Sequence, residues 1–281
     1  MVAAQLSEID PNVLKELETK SRVKLAELNK TGRVIGEEIF KILEQAALLI
    51  LYPINDDELC GFVCKKDDRI FAFINSAIPL EKQIFAAAHE LYHIWYDEPA
   101  LIAGEMLNND TLEMDHNGIE SKANRFAAMF LVQRQLVDNE LSSLSVDKAD
   151  QLELSHIVCL MDVFGVPYKT IVRRLLEIAF IDRMQCEKLL EIPDREETAG
   201  VRLMQKRLQM GERWQKRTRT TRFANLVNDA LSAFEKEAIT LERLQYLLAM
   251  ARKTPQEFGI GIEHSGPNDT ELQRIFDETE D

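Results

Sequence analysis

Two histidines four residues apart, His89 and His93, enclose Glu90-Leu91-Tyr92. On an α-helix this spacing puts both imidazoles on one face, about one turn apart, so both reach a single ion. Glu90 follows the first histidine directly, where a carboxylate serves as general base beside an open coordination position. The pattern predicts one Zn2+ per chain held by His89 and His93, with Glu90 as the catalytic base of a peptide-bond hydrolase. The flanks, Phe85-Ala86-Ala87-Ala88 and Ile94-Trp95, read as the same helix.

A zinc site of this kind needs a third protein ligand. The metzincin arrangement, with a histidine six residues after His93, is absent, because Pro99 stands there. The gluzincin arrangement takes a glutamate from a later helix, with a polar residue four positions on to orient a ligand. Ile119-Glu120-Ser121-Lys122-Ala123-Asn124-Arg125-Phe126-Ala127 offers this: Glu120 and Asn124 share a face, while Ile119, Ala123 and Phe126 can pack inward. Glu120 is thus the expected third ligand and Asn124 the amide that hydrogen-bonds a ligand. His116, Glu98, Glu105 and Glu113 in the intervening loop compete for the third place, and His116 can alternatively sit at the cleft rim.

The elements around these residues fall into three stretches. Asp10 as N-cap and Pro11 at the first helical position open the N-terminal helices assigned to 1–44, and a second helical pattern starts at Gly32 and runs on to about Ala47. Leu48 to Tyr52, Leu59 to Val63 and Arg69 to Ile74 are short β-branched or aromatic runs, the last two joined by a turn at Lys65-Lys66-Asp67-Asp68. Helix returns through Phe85 to Trp95 and, after a loop from Asp97 to Gly118, from Ile119 to about Val137. Everything from Val146 onward reads as helix. A linker near 192–200 divides residues 45–192, which contain the candidate site, from a helical C-terminal domain at 200–281. The expected class is α+β, mainly α: a small antiparallel or mixed sheet of about three strands packs on the His89–His93 helix, and an all-helical region follows.

The chain has 281 residues, 46% hydrophobic and 29% charged, as in ordinary globular proteins. No apolar run approaches the length of a transmembrane helix, and the acidic N-terminus lacks the order of a signal peptide, so no membrane partner and a cytoplasmic location are expected. The four cysteines read as small buried thiols; a Cys60/Cys64 metal pair lacks a second pair at zinc-finger spacing. A net charge of −14 argues against nonspecific nucleic-acid binding by the whole surface. Arg202 to Arg222, however, carries eight Lys/Arg against one acid, whereas Asp269 to Asp281 carries six acids and one Arg. The basic stretch can be a solvated face, pair with that acidic tail, or receive an acidic partner protein or DNA.

The pairing of Ala88-His-Glu-Leu-Tyr-His93 with Glu120-x-x-Ala-Asn-x-Phe-Ala127 resembles the ImmA/IrrE group of zinc metallopeptidases. The resemblance covers about residues 45 to 190 and includes Phe164-Gly-Val-Pro-Tyr-Lys-Thr-Ile-Val-Arg-Arg-Leu175, which looks like the family's closing helix pair. That segment also has the cadence of a helix-turn-helix, with Arg173 and Arg174 as DNA contacts in the alternative reading. Tyr92 stands where the family has Gly, and Val132-Gln133 ends the second motif without the common Pro. Tyr92 adds bulk that narrows the cleft, or a phenol for the oxyanion. The resemblance implies a zincin-like sheet and a zinc endopeptidase that cleaves a partner protein, typically a helix-turn-helix repressor or antitoxin, and so controls transcription. The rival expectation is a non-catalytic, zinc-stabilised module that acts by holding a partner protein or DNA.

Overall fold

A computed structural model describes residues 10–66, 68–97, 106–108 and 118–260. The chain forms two compact units, Met1–Ala224 and Asn225–Asp281. The class is α+β, mainly α.

In the first unit, helix α1 (Pro11–Glu27) starts where Asp10 accepts a hydrogen bond from the Asn12 amide, and it buries Leu17, Ser21 and Leu25. Helix α2 (Glu38–Ala46) begins later than its apolar pattern predicts. Gly32 and Gly36 both adopt positive φ, which breaks the helical run before Glu38. Strands β1 (Leu48–Tyr52), β2 (Leu59–Lys66) and β3 (Arg69–Asn75) lie where the sequence places them. Two short strands, β4 (Met106–Asn108) and β5 (Arg222–Phe223), extend the sheet to the order β4-β2-β3-β1-β5. β1 runs parallel to β3, from Leu48 opposite Phe71 to Tyr52 opposite Asn75, and β2 runs antiparallel to it.

One face of this sheet carries α3 (Leu80–Tyr96), which bears the paired histidines. Every residue of α3 from Ile84 to His93 is buried. A helix apolar on all sides is a core helix, and here β2 and β3 on one flank, α2 on another and α4 (Ile119–Leu131) on a third enclose it. Trp95 and Tyr96 pack against Phe126 and Phe130 of α4, with ring centroids 5.7 to 6.1 Å apart.

The long helix expected from Ile119 to Val137 is two: α4 stops at Leu131 and α5 (Arg134–Ser143) starts anew. Gln133 causes the break. Its buried side-chain amide donates to the carbonyls of Lys30 and Arg33 and accepts from the Gly32 amide, which ties the α4–α5 corner to the α1–α2 turn. Arg174 closes the same corner by donating to the Val132 carbonyl at 3.0 Å. Arg174 is 3% exposed and is paired with Glu177, so it is core rather than a DNA-contacting surface. The helix-turn-helix cadence is therefore a packed pair, α6 (Leu154–Phe164) and α7 (Tyr168–Glu177). The turn needs Gly165: it has φ +64°, and a Cβ there would lie 2.9 Å from the Trp214 ring.

After α8 (Arg183–Leu190), a strap formed by α9 (Gly200–Leu208), α10 (Glu212–Gln215) and β5 runs back across the unit. Trp214 anchors it, its indole N–H donating to the Asp162 carbonyl. The Leu80 amide donates to the Lys216 carbonyl, Ser76 Oγ donates to the Thr220 carbonyl, and Thr218 Oγ1 bonds Gln83, so the strap clamps the N-terminus of α3. This strap is the basic stretch. Five of its cations pair with acids of the same unit: Arg202 with Glu81, Lys206 with Glu197, Arg213 with Glu37, Arg217 with Asp57 and Arg222 with Glu44. The acidic tail lies outside the described residues.

The second unit holds α11 (Leu226–Glu235) and α12 (Leu241–Met250), joined over a small core of Ala230, Leu244 and Leu248. Among the described residues no helix is long and apolar enough to cross a membrane.

Two outcomes test this packing. Trp214→Ala removes a buried aromatic and the Asp162 bond, so urea unfolding should show a loss of about 3–5 kcal/mol. Glu81, on the first turn of α3, is pushed up to about 7 by burial, with Arg202 pulling the other way. A carboxyl raised on folding stabilises fully below its unfolded value near 4.5, and this contribution is lost as pH rises through 7. Glu81→Gln should therefore gain stability on wild type between pH 5 and 8, by at most about 3 kcal/mol. A difference that does not grow over that range would contradict the burial argument.

Candidate metal centre

His89 and His93 project from α3 towards α4, as their spacing requires. Their Nε2 atoms are 3.0 Å apart. Glu120, on the first turn of α4, brings Oε2 to 3.0 Å from His89 Nε2 and Oε1 to 3.2 Å from His93 Nε2. Two donors on a tetrahedral ion with bonds of about 2.0–2.1 Å stand about 3.3 Å apart. The three side chains thus already have the mutual spacing of ligands around one ion, and they form a group that could hold a metal.

One orphaned atom supports this fit. Glu90 Oε1 is buried and lacks a hydrogen-bond partner. An unpaired buried carboxylate oxygen is costly, and a cation between these groups satisfies it. The donor set of two imidazoles and one carboxylate suits zinc.

Each histidine is oriented from behind. His89 Nδ1 bonds Asn124 Oδ1 at 2.8 Å, so the amide is where the helix spacing puts it. His93 Nδ1 bonds Asp97 Oδ2 at 2.9 Å. With Nδ1 held from behind, each ring turns its Nε2 to the centre. Asp97 is not among the residues singled out from the sequence. The available signal was its position four residues after His93, on the same helical stripe, at what the pattern makes the first loop residue.

Burial dominates the electrostatics. It lowers His89, which has a neutral amide behind it, below the usual histidine range. Burial also depresses His93, but the bond to Glu120, the charge of Glu90 and the bond to Asp97 outweigh it and lift the ring to about 9. Glu120 is raised by burial, yet its bonds to both histidines hold it far below the usual carboxylate range. Glu90, with no such partner, is pushed up to about 8 by burial.

Glu90 lies beneath Gly61 of β2. A Cβ at Gly61 would stand 3.4 Å from Glu90 Oε1 and 2.8 Å from the Phe73 carbonyl, so only glycine lets the strand pass this close. Nothing local in the sequence marks Gly61, since the contact spans the hairpin and the helix.

Tyr92 is buried on another flank of α3. Its ring packs 5.5 Å from that of Phe126 and 5.7 Å from that of Tyr96, with Lys20 Nζ of α1 5.7 Å above it. Burial, with Glu16 nearby, pushes its phenol up to about 12. His116, Glu98, Glu105 and Glu113 lie outside the described residues.

Residues 61–176 match a family model described as the IrrE N-terminal-like domain, a peptidase family. The match takes in β2, β3, α3, the Glu120 helix and the α6–α7 pair, and it stops before the strap. Members of this family are metallopeptidases or regulators and are zinc-dependent in general. No curated protein matches the chain. Among solved structures, a Mycobacterium tuberculosis transcriptional regulator is similar over 59% of this chain and 47% of its own, with 16% identity and a TM-score of 0.37. This chain thus spans about half the length of that protein.

Replacing one of three metal donors costs more than the 10- to 100-fold typical of residues behind a ligand. Glu120→Ala should therefore weaken zinc binding by more than about 100-fold, read as metal content after dialysis against a weak chelator. Stoichiometric zinc in that variant would move the third ligand elsewhere.

Proposed function

We propose that this chain is a zinc-dependent endopeptidase that cleaves a specific partner protein, a helix-turn-helix repressor or an antitoxin, and thereby controls transcription in the cytoplasm. One observation carries the catalytic part. Glu90 Oε1 is buried and unpaired beside two imidazoles and a carboxylate that converge at ligand spacing. A closed structural zinc site needs no free carboxylate there. The nature of the partner rests on the family resemblance.

In this proposal His89, His93 and Glu120 hold the ion, and Asn124 fixes the His89 ring. When bound, zinc would supply a Lewis acid that polarises the scissile carbonyl and makes the attacking water more acidic. Glu90 Oε1 takes the proton from the attacking water and returns it to the leaving amine. Burial makes the Glu90 carboxylate a stronger base than one in water. Gly61, without a side chain, lets β2 pass close over Glu90. No step is assigned to Tyr92, whose ring is covered by α1 and α4. The peptidase domain is residues 45–192.

The test co-expresses the chain with the gene products encoded beside it, as wild type and as Glu90→Gln. Wild type should release a defined fragment from one partner. Glu90→Gln should keep one zinc per chain and cut at least about 100-fold more slowly. Undiminished cleavage by Glu90→Gln would remove the general base from the mechanism. Zinc-loaded wild type that binds a partner and leaves it intact would favour the non-catalytic module.

A further inference from the structure

We propose that Asp97 is a positioning residue for the metal centre: its carboxylate, behind His93, supplies the negative charge that sets how tightly zinc is held. The inference rests on the metal site assigned above.

Asp97 closes α3, and its amide donates to the His93 carbonyl at 3.0 Å. Its side chain is 5% exposed, and Oδ2 meets His93 Nδ1 at 2.9 Å. This location is unfavourable for a carboxylate on two counts. The C-terminus of a helix carries the negative end of its dipole, and a buried anion loses its hydration. Helix stability therefore does not account for an aspartate here, whereas a cation at the centre does.

The two histidines are also unlike. His89 is backed by the neutral amide of Asn124 and His93 by an anion. A carboxylate behind an imidazole raises its strength as a donor and locks its ring. Formal charge points the same way. Zn2+, two neutral imidazoles and the Glu120 carboxylate sum to +1, and Asp97 brings the buried centre to zero while Glu90 stays available for proton transfer. His89, His93 and Asp97 recur every four residues, so one helix supplies two ligands and the charge that backs the second.

The experiment uses the full chain, stripped of metal and titrated with zinc against a competing chelator, and with Co2+ for its visible spectrum. Asp97→Asn keeps the shape and removes the charge. It should weaken zinc binding by about 10- to 100-fold and shift the cobalt bands, while the metal-free protein keeps its fold by circular dichroism. Asn124→Asp places a carboxylate behind His89 instead and serves as the second variant. It should tighten zinc binding and recover much of the loss when combined with Asp97→Asn. Zinc affinity in Asp97→Asn within twofold of wild type, with an unchanged cobalt spectrum, would overturn the proposal, as would an Asn124→Asp variant that binds no tighter than wild type. Wild type that takes up no zinc would instead overturn the metal site itself.

Discussion

Four ionisable side chains, His89, Glu90, His93 and Glu120, meet in the apolar contact between α3, α4 and the sheet. Bringing such groups out of water is expensive unless opposite charges face each other at hydrogen-bond distance. The surroundings follow from that constraint. Ala86, Ala87 and Ala88 on α3 and Ala123 and Ala127 on α4 are fully or nearly fully buried, and their small side chains let the two helices approach. Asn124 and Asp97 hold the rings from behind, so both Nε2 atoms face the Glu120 carboxylate. The unpaired Glu90 oxygen lies beside a His89-His93-Glu120 group that could hold a cation.

Holding α3 in register is the second requirement, and much of what achieves it lies outside residues 61–176. The strap at 200–222 bonds the first turn of α3 through Lys216, Thr218 and Arg217, and Trp214 fastens it to the end of α6. At the other end, α1 lays Lys20 and Lys24 over the rings of Tyr92, Tyr96 and Trp95. The basic character of the strap is thereby largely spent within its own unit. Tyr92 gives α1 an aromatic surface to dock on.

Much of the framework was legible locally. The Asp10-Pro11 start, the three β-branched runs and the alanine-rich histidine helix each carry their own signal, and each lies where that signal puts it. The misjudged boundaries share a cause. The α4–α5 break depends on Gln133 reaching backbone about 100 residues earlier, and the late start of α2 depends on two glycines at positive φ. The Phe164–Leu175 cadence also fits a DNA-binding turn until Arg174 is seen buried against Val132 and Glu177. Periodicity reports which face is apolar, but not what will cover it.

The sequence by itself determined the chemistry: two imidazoles and a carboxylate at helical spacing, followed by Glu120 and Asn124 four apart on one face. Those relations are local, because an α-helix fixes the direction of each side chain from its position alone. Only the tertiary structure decided that Glu120 closes on both histidines, that Gly61 makes room above Glu90, and that Asp97 stands behind His93. Such contacts join elements distant in the chain or lie where a helix passes into a loop, and no local spacing encodes the distance between two separately folded surfaces.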